Sequence, residues 1–201
     1  MCERGDGGAG VGLHEEGGVV DDEVSAGRAQ HGAELAERAE EFDQVVIGEP
    51  LLTSDEDFNR VADILIDLLK EYDDGQTAIV YMGHGTEHEG NAIYAKMQEV
   101  LAGKGADNYY IGTVEAEPSV DDVLEAIADK GYTRVVLRDM MVVCGDHANN
   151  DMAGDEEDSW KSIFTAAGYE VECVMEGLGQ VPEIQQIYVE HAQAAIAQVE
   201  E

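Results

Sequence analysis

The feature that most constrains this chain is an alternation of two apolar patterns from residue 43 onward. Short β-branched runs read as strands, and their approximate ranges are 43–52, 77–83, 108–115, 134–143 and 170–178. Segments with apolar residues every three or four positions read as helices, at 54–72, 88–105, 119–131, 154–168 and 182–201. Such alternation predicts an α/β fold with a parallel sheet flanked by helices on both faces.

Residues that favour helix ends support these bounds. Ser54 followed by Asp57 resembles a capping arrangement, and Ser119 is the expected cap of a later helix. Gly131 lies just past the predicted end of that helix, and Pro182 lies in the first turn of the last one.

The beginning of the chain has a different composition. The first 27 residues contain eight of the 23 glycines and no lysine, and they lack hydrophobic periodicity. Residues 33–42 could form one short helix. We therefore interpret residues 1–42 as an atypical N-terminal segment, either disordered or mis-translated, and residues 43–201 as the α/β domain that carries the functional site.

The charge of the chain excludes several partners. Eleven basic residues against 45 acidic ones give a formal net charge of -34. Binding to nucleic acid needs clustered Lys or Arg, and so does binding to an anionic membrane surface, so we expect neither. Cations are the natural partners of such a surface.

Cysteine usage and hydropathy bear on the compartment. The three cysteines are widely spaced with no CxxC pair, which indicates neither a disulfide framework nor a Cys-rich zinc site. No apolar run approaches the roughly 18 residues of a membrane span, and no signal peptide is visible. These features predict a cytoplasmic protein; a homo-oligomer is compatible with them.

Polar, site-like residues follow three of the predicted strands, and ligands of open parallel sheets bind at the carboxyl ends of strands. The three stretches are "MGHGTEH", "IGTVEAEP" and "VVCGDHANND", and they carry His84, His88, Glu115, Glu117, Asp146, His147 and Asp151. Two imidazoles and a carboxylate would form a ligand set for a first-row divalent metal. A neutral imidazole can equally serve as a general base.

Each candidate has a structural alternative. A histidine at a strand end can be a hydrogen-bonded loop residue, and the glycines beside His84 can simply serve a tight turn. His88 is either a loop residue or a secondary ligand. The acids of "GDEEDSW" favour the positive end of a helix dipole over a metal cluster. Cys144 reads as a small buried hydrophobe and His191 as a core or surface residue.

Motifs of other α/β enzymes are missing from the strand-to-helix turns. The chain has no GxSxG, no GxGxxG and no GxxxxGK[ST] in these places. A nucleophile elbow and a phosphate-binding loop therefore lack support.

Four longer segments carry a family resemblance: "GHGTEHEGNAIYAKMQEVL", "YIGTVEAEPSVDDVL", "VVCGDHANNDMAGDEEDSWKSIFTAAGYEVE" and "EGLGQVPEIQQIYVEHA". Over roughly residues 43–198 the chain is similar to the anaerobic sirohydrochlorin cobaltochelatases of the CbiK type, which are class II tetrapyrrole chelatases. The resemblance implies a bilobal fold with the tetrapyrrole in the cleft, of which this chain holds one complete lobe. Arg138 and Asp139 depart from the family, whose corresponding strand is apolar.

The resemblance also implies a reaction. It is the insertion of Co²⁺ into sirohydrochlorin in cobalamin (vitamin B12) biosynthesis, a lyase reaction that uses no ATP. His84, Glu115 and His147 match the metal-binding positions of the family, and one histidine would accept a pyrrole proton. Fe²⁺ and Ni²⁺ are alternative metals. The alternative function is a truncated, non-catalytic protein that binds a divalent metal or a tetrapyrrole.

Overall fold

The centre of the fold is one four-stranded parallel sheet. A computed structural model describes residues 44–199. The strands are β1 (Thr77–Gly83), β2 (Tyr109–Thr113), β3 (Arg134–Asp139) and β4 (Glu170–Val174). Their order in the sheet is β2-β1-β3-β4, and every neighbouring pair is parallel. The predicted α/β class with a parallel sheet is confirmed.

Helices cover both faces of this sheet. They are α1 (Asp55–Leu68), α2 (Ala92–Gly103), α3 (Val120–Ile127), α4 (Trp160–Ala166) and α5 (Pro182–Ala197). Short 3-10 turns span Lys70–Tyr72, Glu89–Asn91 and Leu178–Gln180, and a π-helix spans Ala148–Met152. The predicted caps are confirmed, since the Ser54 and Ser119 side chains accept hydrogen bonds from the backbone N–H groups of Asp57 and Asp122.

The period-2 pattern of β1 divides the core into two layers. Ile79 and Tyr81 point into the layer under α1, α2 and α5, whereas Val80 and Met82 point into the layer under α3 and α4. All seven residues of β1 are buried. The strand therefore lies in the interior of the sheet, and its carboxyl end is fixed from both faces.

The prediction of a strand at 43–52 is wrong for residues 44–52, the part of this segment that the structure describes. Residues 44–50 have no regular structure, and Leu52 has a φ of 66°. Gly48 and Pro50 break the β-branched run, since proline offers no N–H to a ladder. The segment instead lies along α5, where the Nδ1 of His191 is 2.9 Å from the Glu49 carbonyl oxygen.

Other bounds differ from those predicted, including the end of β4, which was predicted at residue 178 and lies at Val174. The strand predicted to reach residue 143 ends at Asp139, and Val142 and Val143 are exposed in the loop that follows. The acids at 155–158 precede α4 instead of forming its first turn, because Ser159 caps the helix. Asp155 pairs with Lys161 at 2.9 Å.

The two charged residues of β3 are buried. The Arg138 side chain is 2% exposed, and its ion-pair partner is Glu176, 3.3 Å away. Asp139 is completely buried at the carboxyl end of the strand. Both charged residues therefore lie inside the fold, although the Nε and Nη2 of Arg138 and one carboxylate oxygen of Asp139 have no hydrogen-bond partner among the described residues.

Residues 1–42, interpreted from sequence as an atypical segment, lie outside the described residues. Of the helices in residues 44–199, none has the length and apolar character needed to cross a membrane.

Candidate metal centre

His84 lies on a loop that two glycines permit. Gly85 has a φ of +81°, and a Cβ on it would stand 2.8 Å from the Thr113 side chain. A Cβ on Gly83 would overlap the ring of Tyr94. Larger residues on either side of His84 would therefore push the loop away from β2 and α2. The tight-turn interpretation is confirmed for Gly85, whereas Gly83 ends β1 and allows the close approach of the Tyr94 ring.

Two side chains from the start of α2 hold this loop in place. The Tyr94 hydroxyl accepts a hydrogen bond from the Gly85 N–H at 3.2 Å. The Asn91 Oδ1 accepts one from the Thr86 N–H at 3.0 Å, and its Nδ2 donates to the Glu117 carbonyl. Sequence reasoning gave these residues no role, and the signal available was their spacing of seven and ten residues from His84.

His147 follows β3 and leads into the π-helix Ala148–Met152. Ala148 and Met152 are buried in the core layer under α3 and α4, which anchors this helix. The Nδ1 of His147 lies 2.6 Å from the Oδ2 of Asp151, one turn further along the chain. Both side chains remain partly exposed, at 32% and 44%.

The two histidines meet at the carboxyl edge of the sheet. The ring centroids of His84 and His147 are 4.7 Å apart, and the ring planes are nearly perpendicular at 87°. The strand order explains the contact, because β1 pairs with β2 on one side and with β3 on the other. The order reverses between β1 and β3, and the crevice at such a switch point is where open α/β sheets bind ligands.

The hydrogen bond of His84 indicates its tautomer. Its Nδ1 is 2.8 Å from the carbonyl oxygen of Gly85. A carbonyl oxygen can only accept, so the Nδ1 carries the hydrogen. A neutral imidazole has one N–H, which leaves the Nε2 lone pair of His84 free for a metal or a proton.

Glu115 joins the site through its backbone. Its N–H donates to the His84 carbonyl oxygen at 2.8 Å, which extends the β1–β2 contact beyond the strands. The Glu115 side chain is exposed. Within residues 44–199 no three His, Cys, Asp or Glu side chains are grouped so that they could hold a metal ion. The structure therefore brings two of the three predicted side chains together and puts the backbone of the third beside them.

Asp139 adds a buried acid at the same edge. Burial raises its pKa to about 6, while the hydrogen bond from the Met141 N–H and the charges of Arg138 and His147 act in the opposite direction. One carboxylate oxygen accepts from the Met141 N–H at 2.8 Å, and the other has no hydrogen-bond partner among the described residues. Sequence reasoning placed Asp139 only in a strand.

The remaining candidates have structural roles or exposed positions. The Nδ1 of His88 accepts from the Gly90 N–H at 3.2 Å and so caps a 3-10 turn. Cys144 is half-buried against the core, and burial raises the pKa of its thiol. His191 lies between the Glu49 carbonyl and Asp57. Glu117 and Asp146 are exposed.

The fold and the site together define a class of protein. It is a parallel α/β protein in which two imidazoles open to solvent lie at the switch point of the sheet and can act as nitrogen donors. The chain matches the family model described as cobalt chelatase (CbiK) over residues 31–197. It belongs to that family, and the resemblance seen in its motifs is confirmed.

Two curated relatives agree with this assignment. The chain is 36% identical over 155 residues to the sirohydrochlorin cobaltochelatase of Salmonella typhimurium, which covers 77% of this chain and 58% of that protein. It is 30% identical over 168 residues to the sirohydrochlorin cobaltochelatase CbiKC of Nitratidesulfovibrio vulgaris, covering 84% and 59%. The chain thus spans less than two thirds of the length of these relatives.

Proposed function

We propose that this chain is a lyase that inserts Co²⁺ into sirohydrochlorin, as a step of cobalamin biosynthesis. The observation that carries the proposal is the His84–His147 pair, 4.7 Å between ring centroids, in a member of the cobalt chelatase family. Both curated relatives carry the name sirohydrochlorin cobaltochelatase. Two imidazoles that are open to solvent suit a metal which has to be bound and then released.

The residues at this edge would bind the metal and accept a proton from the tetrapyrrole. His84 and His147 hold the Co²⁺ through their Nε2 lone pairs, and Glu115 completes the ligand set by turning its exposed carboxylate inward. The metal enters as two pyrrole N–H groups lose their protons. One proton passes to the imidazole whose metal bond breaks, and the other passes to solvent. The charge of Co²⁺ is balanced by the two protons that leave, and the proposed reaction uses no ATP, as the family resemblance implies.

The identity of the metal rests on the family and on the relatives' names. Imidazole and carboxylate ligands also accept Fe²⁺ and Ni²⁺, and intrinsic affinities follow a general series that does not select Co²⁺. We propose Co²⁺ as the substrate metal. Competition between Co²⁺, Ni²⁺ and Fe²⁺ for insertion by the purified protein tests this choice.

The experiment that tests the function follows the absorbance of sirohydrochlorin with Co²⁺ and the purified full-length chain. His84→Ala and His147→Ala should each reduce the enzyme-dependent rate by at least about 100-fold. His88→Ala is the matched control, because it removes an exposed imidazole from the same loop. Insertion by His84→Ala at the wild-type rate would refute the residue assignment.

The alternative, a protein that binds without turnover, has its own outcome in this experiment. Calorimetry would then show Co²⁺ binding that depends on His84 and His147, while no metallated product forms. The specific observation that favours it is that His84 and His147 lie together while, within residues 44–199, no third His, Cys, Asp or Glu side chain completes a metal-binding group. The cytoplasmic location, a homo-oligomeric state and the division at residue 43 stay predictions from the sequence.

A further inference from the structure

We propose that Asp151 is a positioning residue: it fixes the tautomer and the orientation of His147 so that the Nε2 lone pair faces the metal position. The inference deepens the proposed function and rests on it for the identity of the bound metal. The contact itself, 2.6 Å between the Asp151 Oδ2 and the His147 Nδ1, is independent of that function.

The position of Asp151 in the fold makes it suitable for this role. His147 directly precedes the π-helix and Asp151 is the fourth residue within it, so the two side chains, four residues apart, lie on one side of the helix. Ala148 and Met152 between and beside them are fully buried, which fixes the backbone of the segment. A carboxylate on this anchored turn can therefore hold the ring of His147 without a contact to any other element.

The chemistry of the contact sets the tautomer. An ionised carboxylate can only accept hydrogen bonds, so the facing Nδ1 of His147 must carry a hydrogen. In the neutral ring the Nε2 then has a lone pair, as His84 has because of its contact with the Gly85 carbonyl. Both rings then have a lone pair on Nε2, so each can offer that nitrogen to one metal.

The groups that contact the Nδ1 atoms of the two histidines differ in charge. The two imidazoles are therefore unequal as metal ligands. A neutral carbonyl supports His84, whereas a carboxylate supports His147. A carboxylate behind a histidine raises the basicity of the ligand nitrogen, and loss of such a partner typically lowers metal affinity by about 10–100-fold. We therefore infer that Asp151 makes His147 the stronger donor of the pair.

The first measurement uses the metal-free, full-length protein. Long-range ¹⁵N–¹H correlation spectra report the tautomer of each histidine, with His147→Ala identifying the signal. Wild type should show the Nδ1–H form for His147. Asp151→Ala should lose that preference, and Asp151→Glu should restore it in part. Asp146→Asn is the control, because it removes an exposed carboxylate adjacent to His147 in sequence.

The second measurement is calorimetric titration of the same variants with Co²⁺. Asp151→Ala should weaken binding by about 10–100-fold, and Asp146→Asn by less than about threefold. Equal tautomers and equal affinities in Asp151→Ala and Asp146→Asn would overturn the inference. A tautomer change without any metal insertion by wild type would instead leave the positioning role intact and remove the chelatase function.

Discussion

His84 and His147 stand edge to face, 4.7 Å between ring centroids, although β2, α2, α3 and β3 separate them along the chain. The contact exists because β3 pairs with β1 from Thr77↔Arg134 to Met82↔Asp139. It depends on the loops that follow the two strands. The predictions below therefore test those loops, the buried charges beneath them and the charge of the whole chain.

Gly85→Ala should displace the loop of His84. The added methyl would stand 2.8 Å from the Thr113 side chain and 2.9 Å from the Ala116 nitrogen, at a φ of +81°. We expect a loss of about 2–4 kcal/mol in the free energy of unfolding and a matching loss of Co²⁺ affinity.

Gly105→Ala is the matched control for this substitution. It has the same φ of +81°, but nothing lies within 4 Å of the added methyl. Gly105→Ala should lower the free energy of unfolding by only about 1–2 kcal/mol and leave Co²⁺ affinity unchanged. Equal losses in the two variants, measured by urea denaturation, would show that backbone strain and not the Thr113 contact fixes the loop.

Asp139→Asn should change how stability depends on pH. The pKa of Asp139 is raised from 3.8 to about 6 in the fold, so the folded protein holds a proton that the unfolded chain has lost. This group therefore lowers stability as pH rises from about 4 to about 6. The free energy of unfolding of Asp139→Asn should therefore rise relative to that of wild type across this pH range. The difference should reach about 3 kcal/mol at pH 7.5.

The measurement is urea denaturation of metal-free wild type and Asp139→Asn at pH 5, 6 and 7.5. Asparagine keeps an oxygen that can accept from the Met141 N–H. The comparison thus isolates the cost of the buried charge. A difference in unfolding free energy that stays constant across the three pH values would contradict the raised pKa.

Glu176→Gln should destabilise the fold by leaving a buried guanidinium without its counter-charge. Arg138 is 2% exposed, while Glu176 is 59% exposed, so solvent screens part of the pair. We expect a loss of about 1–2 kcal/mol in the free energy of unfolding, below the value of a fully buried pair.

Asp67→Asn is the control for this charge change. It breaks the pair with Lys70, in which both side chains are at least 75% exposed. Thermal or urea unfolding of Asp67→Asn should differ from wild type by less than about 0.5 kcal/mol. An equally small change in unfolding free energy for Glu176→Gln would mean that the charge of Glu176 does not stabilise the buried guanidinium of Arg138.

Under the proposed function, the charge of -34 should make the rate of metal insertion increase with salt concentration. Sirohydrochlorin carries several carboxylates, and Lys96, Arg134 and Arg138 already form ion pairs with acids of this chain. Salt screens the like-charge repulsion, so kcat/KM for sirohydrochlorin should rise between about 20 and 200 mM NaCl. Co²⁺ affinity, measured separately, should fall over the same range.

The rate with sirohydrochlorin and the affinity for Co²⁺ should therefore change in opposite directions as salt is added. The Debye length shortens from about 20 Å to about 7 Å in this range, so long-range repulsion is the part that is lost. A kcat/KM for sirohydrochlorin that falls with salt would indicate a local cationic contact strong enough to outweigh the net charge.

The sequence determined the class of fold and the nature of the site residues. Periodicity predicted the strands β1 to β4 and the five helices, because each buries one face or stripe against the core. It failed at 43–52, where Gly48 and Pro50 break the run and α5 offers the segment a different contact. The motifs predicted His84, Glu115 and His147 as candidate metal ligands, since these residue types suit a metal, and the longer segments around them indicated the family.

Only the tertiary structure decided which of these residues meet. Periodicity says nothing of strand order, and it is the order β2-β1-β3-β4 that places His84 beside His147. The same holds for Asp139, whose pKa is raised because the packing of other segments buries it. A local pattern records what each residue is, whereas its partners and its dielectric surroundings follow from how distant segments pack.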